Sequence, residues 1–287
     1  MGTSIVNIDK ILIIGLGLIG GSYAKGFTKN GIKVYAYNRN PSAINYAKEN
    51  NIIVDGTSEL SADYIFQFDR IVISLYPKIF IEFIDKYGKD LKDGTIITDV
   101  TGVKESIVNT IQSKLDEGIE FIPAHPMAGK EVSGVENADE KIFENANYII
   151  TPTEKNTDKG IAFAEEIGKI LKFRKISYLT VKEHDEMIAF LSQLTHCIAV
   201  SLMTCKNSKE LVNYTGDSFR DLTRIANINE NMWTELFMMN KNALLKEIDS
   251  FINCITHLRN YISEGDEEKI KNMMRLSTER RKYFNKN

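Results

Sequence analysis

Three cysteines are all this 287-residue chain has, Cys197, Cys205 and Cys254. The number is odd and no CxxC spacing occurs, so neither a disulfide framework nor a zinc site is indicated, and no metal is expected. A reduced, cytoplasmic setting fits that economy. Cys197 and Cys205 fall in an apolar helical stretch and are expected as buried thiols. Charge of one sign is also missing: 36 Lys and Arg against 39 Asp and Glu leave a formal net charge of −3. No global field recruits nucleic acid. The apolar run over residues 11–19 is glycine-interrupted and too short to span a bilayer. It also lacks the basic n-region and cleavage site of a signal peptide. Proline is scarce too, with five residues in all and none beyond position 178, where only Gly216 and Gly265 interrupt the chain.

What remains is a soluble globular composition, 43% hydrophobic and 26% charged, able to bury a core without staples. Up to about residue 175, β-branched runs alternate with amphipathic stretches, the pattern of a parallel sheet wrapped by helices. Strands are predicted over 10–14, 33–37, 52–54, 70–75, 95–100, 120–123 and 148–151. Helices are predicted over 21–30, 41–50, 79–91, 104–115 and 157–171. Near Leu179 the period changes: Met187, Phe190, Leu191, Leu194, Ile198 and Leu202 recur at helical steps. The expected architecture is α/β, with a Rossmann-type parallel-sheet domain over residues 1–178 and an all-helical domain over 179–287. The apolar excess between Trp233 and Ile255 is assigned to a homodimer interface, with internal core as the alternative.

The segment Gly15-Leu16-Gly17-Leu18-Ile19-Gly20 follows a strand and opens a helix. Gly15 permits a tight turn, Gly17 lets backbone approach a pyrophosphate, and Gly20 allows close helix–strand packing. GxGxxG alone is weak, but this context is the one a dinucleotide site requires. At the end of the second strand, where an acid would bind the ribose hydroxyls, stand Asn38 and Arg39. Loss of the carboxylate and gain of a guanidinium lean toward NADP+ over NAD+, without excluding NAD+. An exposed arginine stacking on adenine is the alternative.

Ligands in open α/β sheets bind beyond the carboxyl ends of strands. Three such ends stand out: Ser74 to Tyr76, Asp99 to Lys104 with Thr101 and Gly102 between, and Pro123 to Pro126 around His125. His125 is a candidate proton acceptor near neutral pH; a satisfied loop histidine is the alternative. Farther on, Gln193 and His196 share a helix face. Arg220 and Arg224 lie one turn apart, one a strut and the other a candidate carboxylate clamp, with Asp221 between them. Sequence order does not say which is which.

Together the segments His125-Pro-Met-Ala-Gly-Lys-Glu131-Val-Ser-Gly-Val135 and Phe219-Arg-Asp-Leu-Thr-Arg224-Ile-Ala226 resemble the prephenate/arogenate dehydrogenase family of tyrosine biosynthesis. The resemblance covers almost the whole chain, including Gly15–Ser22, Asp99–Lys104, the stretch from His184 to His196, and Trp233. It implies oxidative decarboxylation of prephenate to 4-hydroxyphenylpyruvate with hydride passing to NAD(P)+, or the same reaction on arogenate. It implies His125 as acceptor of the ring hydroxyl proton, Arg224 on the ring carboxylate, and His196 near the substrate side chain. Glu131 and Asp221 match acids that pair with such arginines and gate access. Trp233 matches an aromatic beside the pocket. Two positions depart from the pattern. Gly102 stands where members often carry a serine, so that Thr101 or a water must supply the hydroxyl, and Gln193 stands where some carry histidine. The resemblance further implies a homodimer, and because the chain ends after the helical domain no appended regulatory domain is expected. Any inhibition by tyrosine is therefore expected at the active site.

Two rivals remain. A β-hydroxyacid dehydrogenase or imine reductase shares the two-domain plan but places a lysine on the inter-domain helix. A non-catalytic dinucleotide sensor needs neither a poised base nor an anion clamp.

Overall fold

The computed structural model describes residues 8–206 and 209–284. Six strands, β1 (Lys10–Ile14), β2 (Lys33–Tyr37), β3 (Asp55–Thr57), β4 (Arg70–Ile73), β5 (Ile96–Asp99) and β6 (Glu120–Ile122), form one sheet in the order β3-β2-β1-β4-β5-β6. Every pairing in it is parallel. Parallel strands need crossovers, supplied here by helices α1 (Leu18–Lys29), α2 (Pro41–Glu49), α3 (Ala62–Ile65), α4 (Pro77–Tyr87) and α5 (Glu105–Lys114). Helices cover both faces, which explains why β1 and β4 are apolar on consecutive residues. One core cluster gathers Ile11, Ile13, Phe27 and Val34; the other gathers Leu12, Ile14, Phe80 and Ile107. Alternate residues of β1 therefore feed opposite layers. This is the doubly wound nucleotide-binding order, whose crevice opens between β1 and β4.

Three local expectations need correction. The strand expected over 52–54 lies at β3, Asp55–Thr57. Asn51 adopts φ 54 past α2, and Ile52 N–H then returns to Ala47 O at 2.8 Å. The buried isoleucines Ile52 and Ile53 thus belong to a turn. Second, a separate three-stranded sheet exists: β7 (Ala124–Pro126), β8 (Asn147–Ile150) and β9 (Lys175–Tyr178), with β7 antiparallel and β9 parallel to β8. β8 was expected as a strand, but the flanking prolines hide β7 and its half-polar pattern hides β9. Third, Cys197 is half-buried and Cys205 is exposed. Cys205 sits at the C-cap of its helix, beyond the apolar face.

α6 (Asp158–Ile170) precedes β9. From Val181 to Thr204 the chain is continuously helical: α7 (Val181–Ile188), a π-helical stretch (Ala189–Leu194) and α8 (Thr195–Thr204). This run is long and apolar enough to cross a membrane by length and composition, with 28% of its most apolar window buried. α9 (Asp217–Thr223) and α10 (Glu230–Met239) follow. Contacts cluster the chain into two units, Met1–Asn240 and Lys241–Asn287. The second consists of α11 (Lys241–Glu264) and α12 (Glu267–Arg281), turned at Gly265 with φ 68. Both helices leave apolar side chains exposed, including Phe251, Ile252, Ile255 and Met274.

Candidate active site

The glycine loop is shaped for an anion. Gly15 has φ +100, and a Cβ there would stand 2.4 Å from Ser74 O; one on Gly20 would stand 2.0 Å from Gly15 O. A Cβ on Gly17 would meet nothing within 4 Å. Gly17 is the N-cap of α1 with no side-chain cap. The first N–H groups of that helix, from Leu18 and Ile19 on, have no partner within the helix and face that open space. These residues fit a dinucleotide pyrophosphate. Ser74 continues β4, its N–H donating to Ile14 O at 2.8 Å. Tyr76 is exposed at the N-cap of α4. Asn38 Oδ1 accepts Leu16 N–H at 3.1 Å, so the β2 end pins the glycine loop. Arg39 is exposed and makes no hydrogen bond or ion pair among the described residues.

Beyond β5 lies a buried polar cluster that sequence reasoning did not assemble. Lys104 has no exposed surface, and its ammonium donates to Asp99 Oδ2 at 2.7 Å and Ala124 O at 2.6 Å. Asp99 Oδ1 accepts Ala124 N–H at 3.0 Å. Both backbone groups of the residue before His125 are therefore held by a buried ion pair. Thr101 is 3% exposed and its hydroxyl bonds to the Asp99 carboxylate, which leaves it unavailable to a substrate. Of the two expected replacements for a serine at position 102, Thr101 is thus removed. A Cβ on Gly102 would make ordinary contact, 3.8 Å from His125 Nε2 and 3.6 Å from Leu236 Cδ2.

His125 Nδ1 lies 2.9 Å from His184 Nε2, and His184 Nδ1 lies 2.7 Å from Asp185 Oδ1. The Asp185 carboxylate also accepts Lys104 N–H and Glu105 N–H, each at 2.8 Å, capping α5 from α7. His184 is completely buried and Asp185 is 3% exposed. Sequence reasoning named His184 only as the start of a segment that carries the resemblance and gave neither residue a role. The signal that would have found them is a His-Asp pair opening a helix, and spacing alone does not aim it at His125. Burial, then His184 and Lys104, hold His125 well below the usual histidine value of 6.5. Burial also lowers His184, against the opposing pull of Asp185. His125 is therefore neutral at neutral pH.

A second group forms around Trp233. His196 stacks on its indole, ring centroids 3.6 Å apart, and His196 Nδ1 donates to Ser192 O at 2.8 Å, so Nε2 carries the lone pair. Burial lowers His196 as well; Glu131 and Arg224 act on it in opposite directions. Arg224 pairs with Glu131. With the guanidinium side chain 63% exposed, that pair contributes about 0–1 kcal/mol and opens readily. Arg220 bonds to Asp217 and to Thr215 O, both at 3.0 Å, and is the strut of the two arginines. Asp221 is exposed on α9. Gln193, 1% exposed, gives its carboxamide to Leu236 O and Asn240, fastening α10, and points no group at a substrate. Helix α10 joins the two groups: Leu236 faces Gly102, and Trp233 lies three residues earlier on the same side.

Two family descriptions match the chain: prephenate dehydrogenase, nucleotide-binding domain, over residues 23–176, and prephenate dehydrogenase, dimerization domain, over residues 180–276. The chain belongs to the prephenate dehydrogenase family. It is 30% identical to prephenate dehydrogenase of Bacillus subtilis (strain 168), over 91% of this chain and 72% of that one. It is 30% identical to cyclohexadienyl dehydrogenase of Zymomonas mobilis, over 89% of each. The crystal structure of prephenate dehydrogenase from A. aeolicus in complex with hydroxyphenyl propionate and NAD+ superposes with a TM-score of 0.89 at 28% identity, covering 98% of this chain and 100% of that one. The family is one of oxidoreductases, and the cofactor class is a nicotinamide dinucleotide.

The lowered histidines make stability depend on pH. An unfolded chain takes up protons below about 6.5 that native His125, His184 and His196 refuse, so their stabilisation is present above that value and lost as pH falls. The melting temperature should drop between about pH 7.5 and 5, and should drop less in His125→Asn, where one such group is gone. Equal drops in both proteins would contradict the burial of a neutral His125.

Proposed function

We propose that this chain oxidatively decarboxylates prephenate to 4-hydroxyphenylpyruvate, with His125 as proton acceptor and Arg224 as anchor of the ring carboxylate. The observation that carries this reading is a half-buried His125 whose Nδ1 is already engaged by His184, which leaves Nε2 beside Gly102, in surroundings that lower its pKa and favour the neutral ring. There Nε2 can accept the proton of the substrate's ring hydroxyl. A nicotinamide dinucleotide would supply the hydride acceptor, its pyrophosphate held by the Gly15–Gly20 loop with Ser74 and Tyr76 at the neighbouring strand end. Loss of CO₂ completes an aromatic ring, which drives the step. Arg224 exchanges Glu131 for the substrate carboxylate, gaining a bidentate, charge-assisted contact. His196, steadied by Trp233, offers Nε2 toward the substrate side chain, and Asp221 lies one turn from Arg224 at the mouth. With Thr101 bound to Asp99, a water would have to supply the hydroxyl that a serine at position 102 would bring.

His125→Asn should keep the KM for prephenate within a few-fold and lower kcat by ~10²–10⁴. Arg224→Ala should raise KM by about 30-fold, the low end for an anchor this exposed. Near-normal turnover by His125→Asn across pH 6–9 would sink the assignment. Arg224→Ala that changed only the melting temperature would make that residue a strut. Faster turnover of arogenate than of prephenate would replace the substrate but keep the roles.

For the cofactor, an Asn38 carboxamide already spent on Leu16 and an unpaired Arg39 favour a modest preference for NADP+. Asn38→Asp retains an acceptor for Leu16 N–H and adds repulsion against a 2′-phosphate. It should move the kcat/KM ratio toward NAD+ by about tenfold. A wild-type preference for NAD+ of that size would overturn the argument.

The exposed apolar faces of α11 and α12, together with the dimerization-domain match, support a homodimer. Tyrosine has an aromatic ring and a side-chain carboxylate for His196 but no ring carboxylate for Arg224. It should therefore inhibit weakly and competitively with prephenate. Solution scattering that returns a monomer, or noncompetitive inhibition that survives His196→Ala, would contradict the respective halves.

A further inference from the structure

Resting on that reading, we propose that His184 and Asp185 are positioning residues that set the tautomer of His125 and share the charge it gains during turnover. The three groups form one buried line: Asp185 Oδ1 to His184 Nδ1 at 2.7 Å, then His184 Nε2 to His125 Nδ1 at 2.9 Å. Hydrogen-bond chemistry fixes its polarity. A carboxylate only accepts, so His184 Nδ1 must carry the proton facing it. The Nε2 of neutral His184 is then an acceptor, and His125 must donate Nδ1–H to it. The lone pair of His125 is thereby left on Nε2, the atom 3.8 Å from the place a Gly102 side chain would take.

The far end of the line is held rigidly. Asp185 accepts Lys104 N–H and Glu105 N–H at the start of α5, and its carbonyl accepts from Asn240 at 2.9 Å. Backbone and ring of His125 are fixed separately: Asp99 and Lys104 hold Ala124, and His184 holds the imidazole. When His125 Nε2 takes the substrate proton, its Nδ1–H···Nε2 bond becomes charge-assisted and the positive charge is drawn toward the Asp185 carboxylate. That matters because the nearest other charges are the Lys104 ammonium, which opposes an imidazolium, and Asp99, which is already paired with Lys104. No proton need leave the line: the one taken from the ring hydroxyl is held on His125 Nε2 and returns to the phenolate oxygen once loss of CO₂ has completed the ring.

The test combines a tautomer measurement with kinetics on the full chain. In ¹⁵N-histidine-labelled wild type, with His125 assigned by its loss in His125→Asn, NMR should show a protonated Nδ1 and a bare Nε2. His184→Gln keeps an oxygen that can accept and should preserve that pattern; His184→Phe removes it and should shift His125 toward the Nε2–H form. Turnover should follow: His184→Phe lowers kcat by about 10² with KM for prephenate within about threefold, and His184→Gln recovers at least about tenfold of the loss. A wild-type His125 protonated on Nε2 overturns the proposal, as does a His184→Phe enzyme with wild-type tautomer and kcat. If His184→Phe does not fold, the wild-type tautomer and the kcat of His184→Gln decide it. The tautomer reading needs no substrate. Absence of prephenate oxidation by wild type would therefore remove the proposed function while leaving the hydrogen-bond polarity separately judged.

Discussion

A lysine with no exposed surface organises this molecule. Lys104 could sit in the interior only with its charge met, and Asp99 meets it at 2.7 Å. Such a pair adds little net stability, because desolvation offsets most of the attraction. Its value is in what it ties together. Asp99 ends β5, Lys104 begins the turn into α5, and between them they hold both backbone groups of Ala124, which starts β7. Truncating either partner would strand a buried charge and release the strand that carries His125, at a cost of about 3–5 kcal/mol.

The same economy recurs where elements from different parts of the sequence meet. Asp185 on α7 caps α5, Asn240 reaches back to Asp185 and Gln193, and Gln193 holds the Leu236 carbonyl. Each bond satisfies a buried polar group that would otherwise cost free energy. The Asp185 bonds also tie the helical segment to the start of α5, just beyond the carboxyl end of β5, where ligands bind in this fold. In contrast, the contacts at the mouth are exposed and weak. Arg224 and Glu131 are held across 93 residues by an ion pair in water, suited to being exchanged.

Much of the first half was legible because its signals are local. Alternation and apolar runs placed β1, β2 and β4 to within a residue or two, and the glycine spacing placed a helix directly after β1, although α1 begins at Leu18 and not at residue 21. The family segments around His125 and Arg224 gave the chemistry. What sequence could not supply was any fact that depends on tertiary pairing. Arg220 and Arg224 are alike in sequence; Asp217 lies only three residues before Arg220, but Glu131 reaches Arg224 across 93 residues, and only folding makes that pair. Gln193 lies on the helix face of His196, yet a π-helical stretch ends between them, and its carboxamide turns inward. His184 and Asp185 were given no role because their partners, His125 and α5, are 59 and 80 residues away.

The central claim is that a half-buried neutral histidine and an exchangeable arginine serve one reaction, hydride removal coupled to decarboxylation. The most direct measurement incubates the purified chain with prephenate and NAD(P)+ and quantifies NAD(P)H, CO₂ and 4-hydroxyphenylpyruvate together. Equal amounts of all three are predicted. NAD(P)H formed without CO₂, or formed only with simple 3-hydroxy acids, would contradict the account.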